Sequence, residues 1–237
     1  MRYPSLDARL ACAAALFPAC DFGADIGADH GRLSCYLLAA GKCRAMCVTD
    51  ISADSLQKAR ELLSRHGLSD RADFRVGDGL NALDRPVESI AILGMGGYTL
   101  SKILTDGKEK LCGASLVLSA QTDLPLVRKT VERIGYHLSE ERIVLDAGRF
   151  YVILLAKPGN ETLTEKQCLL GPRLMEHGGE HKEAYLAWRI GVTAREKTEQ
   201  AAKELNWLKE EYALVRRRAD DRADDRGDSA QRNSGKL

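Results

Sequence analysis

Apolar residues along this chain change their spacing in a regular way. Short β-rich runs at residues 22–27, 45–50, 74–76, 89–93 and 115–120 alternate with segments of helical spacing. Those segments predict helices over 33–40, from Ser52 to about His66, around Leu100, and over 124–134. Ser52 is a good N-cap for the second helix, and Gly67 a good stop. Strands alternating with helices imply parallel pairing through right-handed crossovers, hence a doubly wound sheet. The alanine- and leucine-rich stretch before residue 17 reads as an amphipathic first helix; Asp7 and Arg9 just ahead of it argue against a signal peptide.

The rhythm then breaks twice. Residues 136–144 and 150–156 are β-rich and joined only by a short Asp146-Ala147-Gly148 link, which signals a hairpin. Five parallel strands finished by an antiparallel hairpin fit the seven-stranded methyltransferase sheet better than a dehydrogenase sheet. Beyond Pro158, Thr164 and Gln167 form a capping-box pattern, and Gly171-Pro172 should interrupt the helix it starts. After a turn at residues 177–179, one long helix is expected to about Arg217. Its Ala201, Leu205, Leu208, Tyr212 and Val215 recur at four and three, the seam of an antiparallel helical pair. Residues 218–237 lack an apolar pattern and are expected to be disordered. The expected division is a methyltransferase domain over 1–158, a coiled-coil-like helical pair over 159–217, and a charged tail.

Composition narrows the class. A net charge of +1 excludes a general polycation, leaving only local basic patches for nucleic acid. The seven cysteines are scattered and form no metal-ligand spacing, so no metal is expected and a reducing, cytoplasmic setting is. No apolar run approaches the roughly 20 residues of a membrane span.

Candidate chemistry gathers where strands end. Asp25, Gly27, Asp29 and His30 form the first strand-to-helix turn, where a helix N-terminus offers free N–H groups to a ligand. Asp50 ends the second strand, where a carboxylate can accept from both ribose hydroxyls of an adenosine ligand, with Ile51 beside it. Asp78 and Gly79 follow the third strand, placing an acceptor for an adenine amine, although Asp-Gly is also a common turn. Gly94, Met95, Gly96, Gly97 and Tyr98 end the fourth strand, where lack of bulk suits an incoming substrate base. Gln121, and Asp123 with it, can line the same cleft. A dinucleotide fingerprint would need glycine where Asp29 stands, since a carboxylate there repels pyrophosphate. A cationic sulfonium ligand suffers no such repulsion. The favoured cofactor is therefore S-adenosylmethionine.

The strings Asp25-Ile26-Gly27-Ala28-Asp29-His30, Gly77-Asp78-Gly79-Leu80, Gly94-Met95-Gly96-Gly97 and Leu170-Gly171-Pro172 resemble the bacterial TrmK family, which methylates N1 of adenine 22 in tRNA. The resemblance spans residues 5–212. It implies a Rossmann-like class I methyltransferase domain with a C-terminal helical pair, S-adenosylmethionine as cofactor, and tRNA as partner of a chain expected to be monomeric. Three places depart from the family pattern. Gln121-Thr122-Asp123 stands for Gln-Pro-Asn, Gly31-Arg32-Leu33-Ser34 for a segment ending Leu-Pro, and Asp50 for a frequent Glu.

In the implied reaction adenine N1 attacks in line with an in-plane lone pair, so the base must be flipped or unpaired. Asp29 is the candidate carboxylate for stabilising the charge that develops. Gly97, Tyr98, Gln121 and Arg32 are candidate substrate contacts. Arg60, Lys102, Arg189, Arg195, Lys197 and Lys203 are candidates for phosphate, with a solvated helix face as the alternative for each. Two rivals stay open: a methyltransferase of another RNA, a protein or a small molecule, and a non-catalytic module binding S-adenosylmethionine or RNA.

Overall fold

The structure of the chain, a computed structural model, describes residues 4–177 and 179–233, with side chains as far as Arg218. The elements run α1 (Ala8–Leu16), β1 (Cys20–Ile26), α2 (Arg32–Ala39), β2 (Cys43–Asp50), α3 (Ala53–Arg65), β3 (Ala72–Val76), β4 (Ser89–Met95), α4 (Gly97–Asp106), β5 (Ser115–Ala120), α5 (Leu124–Arg133), β6 (Tyr136–Asp146) and β7 (Arg149–Pro158). α6 (Glu165–Leu170), α7 (Pro172–His177), α8 (Lys182–Thr193) and α9 (Glu199–Asn233) follow. The chain divides into two compact units, Met1–Arg173 and Leu174–Leu237.

The first unit holds one seven-stranded sheet in the order β3-β2-β1-β4-β5-β7-β6. β3, β2, β1, β4 and β5 are parallel, whereas β7 runs antiparallel to both β5 and β6. Central strands covered on both faces must be apolar throughout, and Ile90, Ala91, Ile92, Leu116, Val117 and Leu118 are fully buried. The β6–β7 turn places Ala147 and Gly148 at φ 46° and 76°, the left-handed pair that suits the twist of a tight hairpin. Because the order reverses between β1 and β4, their carboxyl ends open a crevice where ligands of such sheets sit.

The first unit ends later than the sequence reading places it, because a buried ion pair ties the next segment down. Arg128, fully buried on α5, donates from Nε to Glu141 Oε1 of β6 at 2.8 Å. Its Nη1 donates to the carbonyls of Cys168 and Leu169 at 2.7 and 3.2 Å, satisfying the open end of α6. A Cβ on Gly171 would lie 2.7 Å from Arg128 Nη2 and 2.8 Å from Glu141 Oε2, so only glycine closes over the pair. The Leu-Gly-Pro string is thus a structural clasp. Removing one partner of such a pair costs about 3–5 kcal/mol, because the other charge is left buried alone. The capping box is present, with the Thr164 hydroxyl accepting from Gln167 N at 3.2 Å.

The second unit corrects one expectation. The long helix after residue 179 is two helices, α8 and α9, because the chain turns at 194–198 and Thr198 caps a new start by accepting from Ala201 N at 3.0 Å. Buried Lys182, at the start of α8, pairs with buried Glu211 of α9 at 2.6 Å, so the two lie antiparallel. Ala201 and Leu208 of the expected seam are buried. The helix continues to Asn233, beyond the end expected near Arg217 and into the stretch expected to be disordered. Residues 178 and 234–237, parts of the expected turn and tail, lie outside the described residues, as do the side chains past Arg218.

Candidate active site

At the carboxyl end of β1 the chain takes a left-handed turn at Gly27 (φ 70°), and Ala28 N donates to Thr49 O at 2.8 Å. Asp29 follows, also left-handed at φ 49°, before Gly31 opens α2. The turn points the Asp29 N–H at a carboxylate on the neighbouring strand. Asp50 at the end of β2 accepts from Asp29 N through Oδ2 (3.0 Å) and from Ser52 N through Oδ1 (2.9 Å). Each oxygen keeps lone-pair capacity for a further donor, and the carboxylate cannot rotate away. Ile51 beside it is 74% exposed and Val76 at the end of β3 is 62% exposed. Two bare apolar side chains next to a clamped acceptor suit a nucleoside: the sugar on Asp50, the base over the aliphatic surface.

Asp25, one turn deeper, is buried and held differently. Ser34 Oγ donates to its Oδ2 at 2.7 Å, and the Ser34 backbone N–H also faces it from the first turn of α2. Burial nevertheless dominates and pushes its pKa up to about 6, with the Asp50 charge adding in the same direction. A carboxyl group facing a cavity with a raised pKa favours a cation, which would restore the ionised form.

β4 reaches the same edge with a bulge. Its register on β5 slips between Leu93 and Met95, and Gly94 (φ 79°) occupies the slip. Gln121 Nε2 donates to Gly94 O at 2.9 Å, crossing from the end of β5. From the other direction α1 brings Arg9, whose guanidinium lies 5.6 Å from the centre of the Tyr151 ring on β7. Asp7 caps α1 by accepting from Leu10 N at 2.7 Å, which fixes where that helix begins. These groups enclose a cavity of about 390 Å³, lined by Asp25, Gly27, Asp29 and His30 on one wall and by Gly94, Gln121, Arg9 and Tyr151 on the other. That volume is within the range of small-molecule sites.

A methyltransferase domain family matches residues 6–154, a span that takes in α1 and six of the seven strands, with the start of β7. The chain belongs to that family. Among its relatives, the tRNA (adenine(22)-N(1))-methyltransferase of Bacillus subtilis is 31% identical over 157 residues, 65% of this chain and 66% of the relative. This chain thus spans about two thirds of that relative's length. The crystal structure of the B. subtilis m1A22 tRNA methyltransferase TrmK superposes with a TM-score of 0.75 at 26% identity, over 90% of this chain and 98% of that one. M. capricolum TrmK, solved with S-adenosyl-homocysteine, gives a TM-score of 0.77 over 89% and 99% of the two chains. At 18% identity that likeness speaks for the fold alone.

Within this methyltransferase domain the sequence-predicted residues fall into three groups. Asp25, Gly27, Asp29, His30, Arg32, Gly94 and Gln121 line the cavity together. Asp50, Ile51 and Asp78 lie outside its lining, on the β2–β3 side of the edge; Asp78 precedes the single turn at Gly79–Ala82, where Gly79 is buried. Met95, Gly96, Gly97 and Tyr98 also lie outside the lining. Met95 packs toward Gly27, whose added Cβ would sit 3.1 Å from Met95 Cε. A Cβ at Gly97 would lie 2.4 Å from Thr122 O, so glycine there serves the seating of α4 against the β5–α5 loop. Tyr98 is 71% exposed at the first turn of α4.

The sequence reading missed Arg9 and Tyr151. Both come from elements far in the chain from the glycine motifs, and Arg9 was weighed only as a charge near the N-terminus. Several phosphate candidates are already engaged. Arg60 stacks 4.5 Å from the Phe74 ring centre, Lys102 pairs with Asp106, Arg189 donates to Tyr185 Oη at 3.2 Å, and Lys203 lies 4.9 Å from the Trp207 ring centre. Arg195 and Lys197 are exposed in the α8–α9 turn. Among the described residues no group of three or more His, Cys, Asp or Glu is placed to hold a metal ion, and no helix is long and apolar enough to cross a membrane.

Proposed function

We propose that this chain methylates N1 of an adenine in tRNA, position 22 by likeness to its relatives, with S-adenosylmethionine as methyl donor. The carrying observation is the pair of carboxylates at the β1/β2 edge: Asp50 clamped by two backbone N–H groups, and Asp25 buried with a raised pKa. The first fits the ribose hydroxyls of an adenosyl group, the second its cationic end, and exposed Ile51 and Val76 fit its base. When bound, S-adenosylmethionine supplies an electrophilic methyl group.

The chain's own residues then have separable tasks. Asp50 and Asp25 orient the cofactor, and Gly27, backed by Met95 Cε, leaves it room at the crevice. Gly94, Gln121, Arg9 and Tyr151 make the opposite wall, where an unpaired adenine would be received. N1 of adenine needs no prior deprotonation, so positioning carries most of the acceleration. Asp29 is assigned the stabilising carboxylate. Its Oδ1 is 3.5 Å from His30 Nε2 and accepts from Ser55 Oγ at 3.4 Å, a loose arrangement that leaves it 71% exposed to an incoming group. Asp29→Ala is expected to lower turnover far more than cofactor affinity; equal losses in both would remove the assignment. We infer that the enzyme meets its tRNA in the cytoplasm and works as a monomer.

The deciding experiment is nucleoside mass spectrometry of an unmodified tRNA transcript after incubation with enzyme and S-adenosylmethionine. The expected product is 1-methyladenosine, lost when adenine 22 is replaced. Cofactor binding without methylation of any tRNA would overturn the tRNA reading while leaving the cofactor site standing.

A further inference from the structure

Beside the cavity lies a second one of about 460 Å³ that shares two of its lining residues, His30 and Arg32. Its other walls come from the N-terminal segment, through Pro4 and Ser5, and from α3. On α3 Lys58, Glu61, Leu62 and Arg65 recur at three, four and seven, so they form one stripe facing this hollow. His66, which ends α3, completes it.

The charges are lopsided. Arg32, Lys58 and Arg65 face one carboxylate, Glu61, and two imidazoles. Glu61 is turned along its own helix, accepting from Gln57 Nε2 at 3.2 Å, and Arg65 Nε donates at 3.3 Å to the Glu61 main-chain carbonyl rather than to its carboxylate. Neither Lys58 nor Arg65 has a carboxylate partner among the described residues. Arg32 is anchored instead, donating from Nη2 to Ser5 O at 2.6 Å, which ties the N-terminal segment over the hollow and holds the guanidinium between the two cavities. Cations left without counter-charges around a concave surface concentrate an anion there.

We propose that this hollow holds a backbone phosphate of the RNA strand next to the nucleotide whose base enters the catalytic cavity, with Lys58 and Arg65 as its principal donors and Arg32 as the bridge. The inference rests on the tRNA reading above. It follows from adjacency: a nucleotide placed in one cavity carries phosphate on both sides, and the neighbouring cavity that shares its wall is the cationic one. Phosphate contacts of this kind position a strand without reading its sequence. The assignment also replaces Arg60, which is committed to Phe74, with two residues of the same helix that are free to reach an anion.

The test uses the full-length chain carrying Lys58→Ala, Arg65→Ala, and both. Arg44→Ala at the start of β2, the opposite edge of the sheet, controls for loss of charge alone. For the double variant the KM for tRNA is expected to rise about tenfold or more with kcat and cofactor affinity unchanged. The slope of log affinity against log salt is expected to fall by about one per phosphate lost. Arg44→Ala should leave both readouts in place. An unchanged KM and slope in the double variant, or an equal effect from Arg44→Ala, overturns the proposal. Should the wild-type chain methylate no tRNA, the functional reading fails first. The hollow is then judged by binding of a single-stranded oligoribonucleotide: weaker binding by the double variant than by wild type and Arg44→Ala upholds it, and equal binding by all three rejects it.

Discussion

The two walls of the cleft are built in different ways. The β1/β2 wall is local: Gly27, Asp29 and Asp50 sit at the ends of two adjacent strands, and Asp50 is clamped by the Asp29 N–H of the neighbouring turn and the Ser52 N–H of its own. The β4/β7 wall is assembled from four distant pieces, with α1 lending Arg9, β4 Gly94, β5 Gln121 and β7 Tyr151. One wall is held by main-chain geometry, the other by side chains meeting across the fold. A ligand common to many enzymes suits the first kind. An acceptor that differs between enzymes suits the second, because side chains change without disturbing the strands.

The sharpest way to break this contrast is at Asp50. Asp50→Ala removes a charged acceptor that two ribose hydroxyls would share, each hydrogen bond to a charged group being worth roughly 1.5–3 kcal/mol. It also strips Asp29 N and Ser52 N of their partner. Cofactor affinity by calorimetry is expected to fall roughly 100-fold or more, with tRNA binding in the absence of cofactor unchanged. An affinity within threefold of wild type would remove the ribose from this wall.

The same contrast explains what could be read from the chain. The alternation of strands with helices, the hairpin at Ala147-Gly148 and the place of Asp50 at the end of β2 follow from local strings, because parallel strands deliver their carboxyl ends to one edge wherever the core places them. Arg9 and Tyr151 were not legible. They meet only because α1 crosses toward the hairpin that ends the sheet, and no short pattern encodes that meeting. At Gly97, read as room for substrate, a Cβ would meet Thr122 O at 2.4 Å, so that glycine has a packing task that no short string announces. The break at 194–198 escaped too, since no Gly or Pro falls within it and only the Thr198 cap marks the new start.

A second prediction tests the electrostatics of the local wall. The pKa of Asp25 is raised to about 6 in the folded chain, above its ordinary carboxylate value, so the folded state holds the proton more tightly. Stability from this group is therefore fully present below the unfolded pKa and is lost as pH rises through about 6. Asp25→Asn should thus stabilise the cofactor-free protein at pH 8 by at most about 3 kcal/mol, seen as a higher thermal midpoint, with the gain vanishing near pH 4. Cofactor affinity should move the other way. A cationic ligand binds the ionised form, so wild-type affinity should climb between pH 5 and 7, while that of Asp25→Asn stays low and flat. A flat wild-type profile would show that the cationic end sits elsewhere.

The assembled wall should respond more mildly. Arg9→Ala removes a guanidinium from the mouth and uncovers Tyr151, but it leaves Gly94 and Gln121 in place. A loss of about fivefold in kcat/KM for tRNA is expected, the size of one exposed cation–π or polar contact of roughly 1 kcal/mol. Cofactor affinity should be unaltered. If instead the cofactor is lost and tRNA kinetics are spared, the division of labour between the two walls is reversed.

The smallest effect tests a departure from the family pattern. Where the resemblance to TrmK leads to an expectation of Leu-Pro, this chain has Leu33-Ser34, and the Ser34 hydroxyl donates to Asp25 at 2.7 Å. That bond favours the ionised carboxylate and partly offsets its burial, so the raised pKa already includes Ser34's opposing pull. Ser34→Ala deletes one hydrogen bond worth about 1 kcal/mol, which corresponds to under one pKa unit. The rise of cofactor affinity with pH should keep its shape and shift upward by roughly half a unit to one unit. A shift downward, or none with Asp25 intact, would mean that the hydroxyl serves the helix and not the carboxylate. The serine would then be a neutral replacement for proline rather than part of the site.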